Sequence, residues 1–253
     1  MKPSGDAGVF FVRLLSMVNR SMSLRVGTVG FSHHEWKGAF YPEKISQKNM
    51  LAYYAERFST VEINFTFRQL PTQKTVETWV RQVPDSFRFV LKGWQAITHF
   101  KRLKNAEVET DQFLDAASVL GEKQGPILFQ LPPTFEKDIP KLDAFLKQIA
   151  GRAKVAIEFR HASWFDDELF DCLRAHSAVL CVADGDHLPQ LNLVRTADWG
   201  YVRLPDDTYS DVRLRDWLMQ IRSQWDETYV FFMHEDKCIG PKLAVRFLEL
   251  VLA

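Results

Sequence analysis

A chain of 253 residues is long enough for two average domains or one large α/β unit, and 46% apolar with 25% charged residues excludes a disordered polymer. With 32 basic against 32 acidic residues, no overall field favours nucleic acid or an anionic membrane surface. Three cysteines, Cys172, Cys181 and Cys238, without C-x-x-C spacing, argue against a disulfide framework or a zinc knuckle and point to a reducing compartment, the cytoplasm.

In chain order, residues 1–23 read as an N-terminal extension ahead of a single folded unit, 24–253. Their apolar stretch is interrupted by Arg13, lacks a small-residue cleavage site and is too short and too charged to span a bilayer; Met22 is a candidate start. From Arg25 onward, short β-branched or apolar runs recur at 25–30, 60–65, 87–92, 126–131, 154–159, 178–184, 200–204 and 228–234. Helical patterns lie between most of them. Thr72 stands as an N-cap before Val76, Trp79, Val80 and Val83, with Pro84 as the stop. Ile139, Leu142, Phe145, Leu146 and Ile149 form one stripe ending at Gly151, and Ala244, Phe247, Leu248 and Val251 form another. The sixth unit, after 178–184, offers only a broken helical pattern.

Alternating strands and one-faced helices predict βαβ units on a parallel sheet, and eight such units in about 230 residues predict a TIM-like (β/α)8 barrel in one domain. An open doubly wound sheet is the alternative, but no G-x-G-x-x-G follows any strand.

In a barrel, chemistry gathers at the C-terminal strand ends. Glu62, Asn64, Lys92, Gln130, Glu158, Arg160, Asp184, Arg203, His234, Glu235 and Asp236 all fall on or just past such ends. Side chains alternate along a strand, so Glu158 and Arg160 share a face, as do Glu62 and Asn64, and these groups are expected to converge on one mouth. A fixed ion-pair layer without chemistry is the alternative. His161 serves either as substrate contact or as a cap before the next helix, with Asp166 as an N-terminal charge. The first loop carries His33, His34, Glu35, Trp36 and Tyr41; it lacks an H-E-x-x-H pattern, and Trp36 and Tyr41 are expected to line or cover the mouth. The run Lys92, His99, Lys101, Arg102 and Lys104 is either a solvated loop or an anion clamp. Glu62, Glu158, Asp184 and His234 make a candidate metal set, although Lys92, Arg160 and Arg203 would compete for its carboxylates.

The segments GTVGFSHHEWKGAFYP, FSTVEINFTFRQLP, FRFVLKGWQAITHFKRL, GPILFQLPPTF and VAIEFRHASWF resemble the YecE-like family, domain of unknown function 72. The resemblance implies a TIM-like barrel and carries no established activity. Glu62, Asn64, Lys92, Gln130, Glu158, Arg160 and His161 fall inside the matching motifs. This chain departs from the family pattern at Val29 and Phe31, where a Ser and a Trp are usual. It departs again at Pro205 and Asp206 in place of His-Gly, and at Met233 and His234 in place of an Asn pair.

The expectation is an enzyme acting on a small polar, anionic substrate by acid/base chemistry, with Glu158, Glu62 and Lys92 catalytic. Asn64, Gln130, Arg160, His161, Arg203, Trp36 and Tyr41 would bind substrate. A metal-assisted hydrolase built on the four-residue set and a non-catalytic binding module are the alternatives. No cofactor, substrate identity or subunit number is legible.

Overall fold

The computed structural model describes residues 23–184, 193–234 and 238–252. The expected extension over 1–22 with its candidate start Met22, part of the broken sixth-unit pattern (185–192), and Glu235 and Asp236 lie outside the described residues. Each of the eight expected segments carries strand: β1 (Ser23–Thr28), β2 (Thr60–Ile63), β3 (Arg88–Lys92), β4 (Gln124–Gln130), β5 (Val155–Glu158), the pair β6 (Val179–Leu180) and β7 (Val182–Ala183), β8 (Trp199–Leu204) and β9 (Glu227–Phe232). Helices α1 (Gln47–Ala55), α2 (Phe65–Arg68), α3 (Gln73–Gln82), α4 (Glu107–Ser118), α5 (Ile139–Ile149), α6 (Asp167–Ala175), α7 (Asp211–Gln224) and α8 (Ile239–Leu252) intervene.

Helix punctuation follows side-chain chemistry. The Thr72 hydroxyl accepts from Thr75 N at the start of α3, and the backbone turns extended at Val83, the residue before Pro84. Asp138 accepts from Lys141 N to open α5, and Asp166 from Leu169 N to open α6.

All strand pairs are parallel, in two sheets of order β1-β9-β8-β7 and β2-β3-β4-β5-β6. The structure thus differs from one continuous eight-stranded ladder, for two local reasons. At the first seam, the Tyr54 hydroxyl of α1 stands between β1 and β2: it accepts from Thr28 N at 2.8 Å and donates to Thr60 O at 3.1 Å. The strands still meet just beyond, where Val29 bridges Glu62 and Gly30 N donates to Glu62 O at 2.8 Å. Gly27 is required here, since a Cβ would lie 2.2 Å from Thr60 O. At the second seam one stretch of chain serves both sheets. Val179 and Leu180 pair with β5, Cys181 N donates to Ile157 O at 2.8 Å, and Val182 and Ala183 pair with β8.

Alternation sorts strand residues into two cores. Val61, Phe89, Ile127, Ile157, Val202 and Val230 pack with the helices. Val90, Leu128, Ala156, Val179, Tyr201 and Phe231 form a second cluster on the opposite face of the strands. This inner face carries the charged residues toward the C-terminal strand ends.

Candidate functional site

Glu62, Glu158 and Arg203 are essentially inaccessible, at 0%, 1% and 1% exposure, so each must find its partners inside the protein. They find one another. Arg203 Nη1 donates to Glu158 Oε2 at 2.6 Å and Nη2 to Glu62 Oε1 at 2.9 Å, so one guanidinium joins β2, β5 and β8. Tyr201 shares the inner face of β8 with Arg203, being two residues away, and donates its hydroxyl to Glu62 Oε2 at 2.7 Å. Arg160, at the rim, donates through Nε to Glu158 Oε1 at 2.6 Å.

Burial alone would raise the Glu158 carboxyl, but Arg203 and Arg160 outweigh it and hold the group below the ordinary carboxylate range. Burial works against charge on Arg203 too, yet Glu62 and Glu158 raise it further above its ordinary value. Burial, reinforced by Glu62, pushes the Tyr201 phenol well up and keeps it a donor. Cys181, inside the same layer, is pushed well up by burial and by Glu158 and remains a thiol.

Lys92 is the exception within this layer. It ends β3 and is 9% exposed, and its Nζ has no hydrogen-bond or ion-pair partner among the described residues; that Nζ lies 4.6 Å from the centre of the Phe67 ring. Burial lowers its pKa, Arg203 and Arg160 lower it further, and Glu62 and Glu158 oppose without prevailing. Gln130, which ends the neighbouring β4, likewise has no side-chain partner among the described residues. Two carboxylates thus face three cationic side chains, Arg203, Arg160 and Lys92, leaving one formal positive charge unbalanced.

Two further basic residues, His99 and Arg102, follow Lys92 in the chain. His99, on a π-helical turn (Ala96–Phe100), packs edge-on against Phe67 at 4.9 Å. Its pKa is lowered by burial and then by the charges of Lys92, Arg160 and Arg102. Arg102, with φ of 49°, donates to both the carbonyl and the hydroxyl of Thr134.

The other expected site residues fare differently. Asn64 lines an apolar groove of about 650 Å³ beside Phe31, Ile63, Phe65 and Trp79, and its Oδ1 is buried without a protein partner. His161 caps a short 3-10 turn, Nδ1 lying 2.8 Å from Ser163 Oγ, and Asp166 caps α6.

Trp36 and Tyr41, expected to line or cover a mouth, are buried at 0% and 2% exposure: they pack with Phe40, and the Tyr41 hydroxyl donates to Phe31 O at 2.5 Å. The metal set does not assemble among the described residues. Asp184 Oδ2 is taken by Tyr209, Arg213 and Trp217, while Arg203 spans the two glutamates.

Tyr201 is not among the residues the sequence marks as a site, whereas His99 enters there only as one member of the basic run 92–104. The i, i+2 spacing of Tyr201 and Arg203 on one strand is the signal that marks Tyr201.

The family model described as "Protein of unknown function DUF72" matches residues 25–253. The UPF0759 protein YunF of Bacillus subtilis is 27% identical over 154 residues, 58% of this chain and 54% of its own. The UPF0759 protein YecE of Escherichia coli K12 is 34% identical over 113 residues, 44% of this chain and 42% of its own. The chain therefore spans about half the length of the curated relatives it matches. Among solved structures, a DUF72 family protein of Thermotoga maritima superposes with a TM-score of 0.79 at 27% identity, covering 91% of this chain and all of that one. One from Enterococcus faecalis gives 0.74 at 20% identity over 93% of this chain, a likeness of fold.

Proposed function

The chain belongs to the DUF72 family, and from that premise we propose that its two sheets act as one TIM-like (β/α)8 barrel whose C-terminal mouth binds a small anion-bearing substrate and transfers a proton on it. Barrel closure is supported by the contacts at both seams, the Val29–Glu62 bridge on one side and the handover at Cys181 on the other. The observation that carries the functional reading is the uncompensated Lys92 ammonium beside a charge-balanced layer.

An ion-pair layer serving stability alone needs as many cations as carboxylates. Glu62, Glu158, Arg203 and Arg160 already meet that condition, so a fifth, half-desolvated charge costs stability and is supported by a partner that arrives from solution. In this reading Lys92 and Arg160 hold the anion, Gln130 orients it, and Lys92, its pKa lowered toward the working range, exchanges the proton. Glu158 is unsuited as the acid, because both its oxygens are held by guanidinium groups. The two glutamates instead fix Arg203 and set the potential of the layer.

Sulfate, a dianion that does not titrate near neutral pH, is the probe. Calorimetric titration should give saturable binding to the wild-type protein at low ionic strength, weakened at least about tenfold in Lys92→Met, as loss of a charge-assisted contact requires. Equal affinity in the two proteins, or none in either, would overturn the reading.

A further inference from the structure

Away from the mouth, α5 and α6 bring together a carboxylate, a thiol and an imidazole. We propose that Asp143, Cys172 and His176 form a binding site for one zinc-class divalent cation that ties α5 to α6. Cys172 lies on α6 and His176 four residues later at its C-terminal cap, a spacing that puts both on one face of the helix. Asp143 comes from α5, and the three ligand atoms all lie within 4.8 Å of one another; among the described residues no other three such groups converge.

Three details favour an ion over a simple polar contact. Asp143 Oδ1 lies 2.8 Å from His176 Nε2, while Oδ2 is taken by Lys147 Nζ at 2.6 Å, so the carboxylate is oriented by an outer partner and presents one oxygen inward. The Asp143–His176 bond explains two members of the group and gives the adjacent Cys172 sulfur no role. His176 sits at the end of its helix, followed by Ser177 with φ of 51°, so no further helical turn pins its ring. Opening 2.8 Å to the roughly 3.3 Å between ligands around a tetrahedral zinc is a small adjustment there.

The donor set selects the metal. One sulfur, one nitrogen and one oxygen suit zinc with a fourth position left to water, and do not suit calcium or magnesium, which take oxygen ligands. On binding, the Cys172 thiol releases its proton to solvent and the sulfur forms the bond; His176 offers the Nε2 lone pair with its proton on Nδ1. No oxidation or reduction is involved.

The test uses the full chain, stripped with a chelator and titrated with cobalt(II) as a spectroscopic substitute. One equivalent should produce a thiolate-to-cobalt charge-transfer band that zinc abolishes. The band should be lost in Cys172→Ser, and His176→Ala should bind at least about tenfold more weakly. Absence of the band at stoichiometric cobalt, or its persistence in Cys172→Ser, would overturn the proposal. Should the buried Cys172→Ser change prevent folding, His176→Ala decides, since His176 is partly exposed: unchanged affinity there sinks the site.

Discussion

Lys92 and Arg203 are both cations on the inner face of the strands, and they should respond in opposite directions to removal. Arg203→Met strips the shared partner from two fully buried carboxylates, leaving Glu62 only Tyr201 as a direct donor and Glu158 only Arg160. Breaking a buried pair in this way costs about 3–5 kcal/mol. Lys92→Met orphans nothing, because the remaining two glutamates and two arginines balance. It also exchanges a desolvated ammonium for an apolar side chain of similar length against Phe67. A gain of about 1 kcal/mol is expected, in the range seen when buried charges give way to hydrophobic groups. Urea denaturation of the two variants checks both signs. A Lys92→Met protein clearly less stable than wild type would mean that the lysine is structural, and the binding role would lose its main support.

At the scale of elements, the join between β1 and β2 rests on a side chain of α1. The Tyr54 hydroxyl takes the place of a direct ladder bond, with its phenol kept protonated by burial. Tyr54→Phe leaves the buried Thr28 N–H without an acceptor and Thr60 O short of a donor, at roughly 1–3 kcal/mol. Hydrogen exchange should show the loss as faster exchange at Thr28 with little change at the β3–β4 ladder; uniform acceleration across both sheets would show instead that Tyr54 matters only for global stability. Such an insertion is invisible in sequence, where Tyr54 reads as one more aromatic on a helix face. The strands themselves were legible because each of the eight runs combines β-branched or aromatic residues with a following break. The division of 179–183 between two sheets was not, since it depends on which neighbour each backbone amide meets. Trp36 and Tyr41 misled for a related reason. An aromatic in a loop reads as available, and only the packing of Phe40 and its neighbours shows it buried.

Over the whole molecule, equal numbers of acidic and basic residues conceal a local excess of positive charge at the strand ends. Sequence alternation places Glu62, Lys92 and Glu158 on one face of their strands, but not which pairs would close; that depends on reach across three strands, as in the Arg203 fork. The excess has a consequence for pH. The folded-state pKa of Lys92 lies below its ordinary 10.5, so between those two values the unfolded chain holds a proton that the folded one has released. Stability relative to Lys92→Met therefore rises with pH across that window, the full cost of the buried ammonium being present below it. A bound sulfate favours the ammonium and moves Lys92 back up, so within the window binding takes up a proton and affinity falls as pH rises. On the acid side the sign reverses. Glu158 is held below its ordinary 4.5, and its contribution, present above that value, is lost as pH falls through the folded one, dismantling the layer that supports Lys92. Sulfate affinity should thus fall on the alkaline side, a limb absent in Lys92→Met, while the fold itself loses stability on the acid side. Calorimetry in buffers of differing ionisation enthalpy measures the proton uptake directly. Affinity that stays level up to pH 10.5 with no proton taken up would show that Lys92 does not meet the anion.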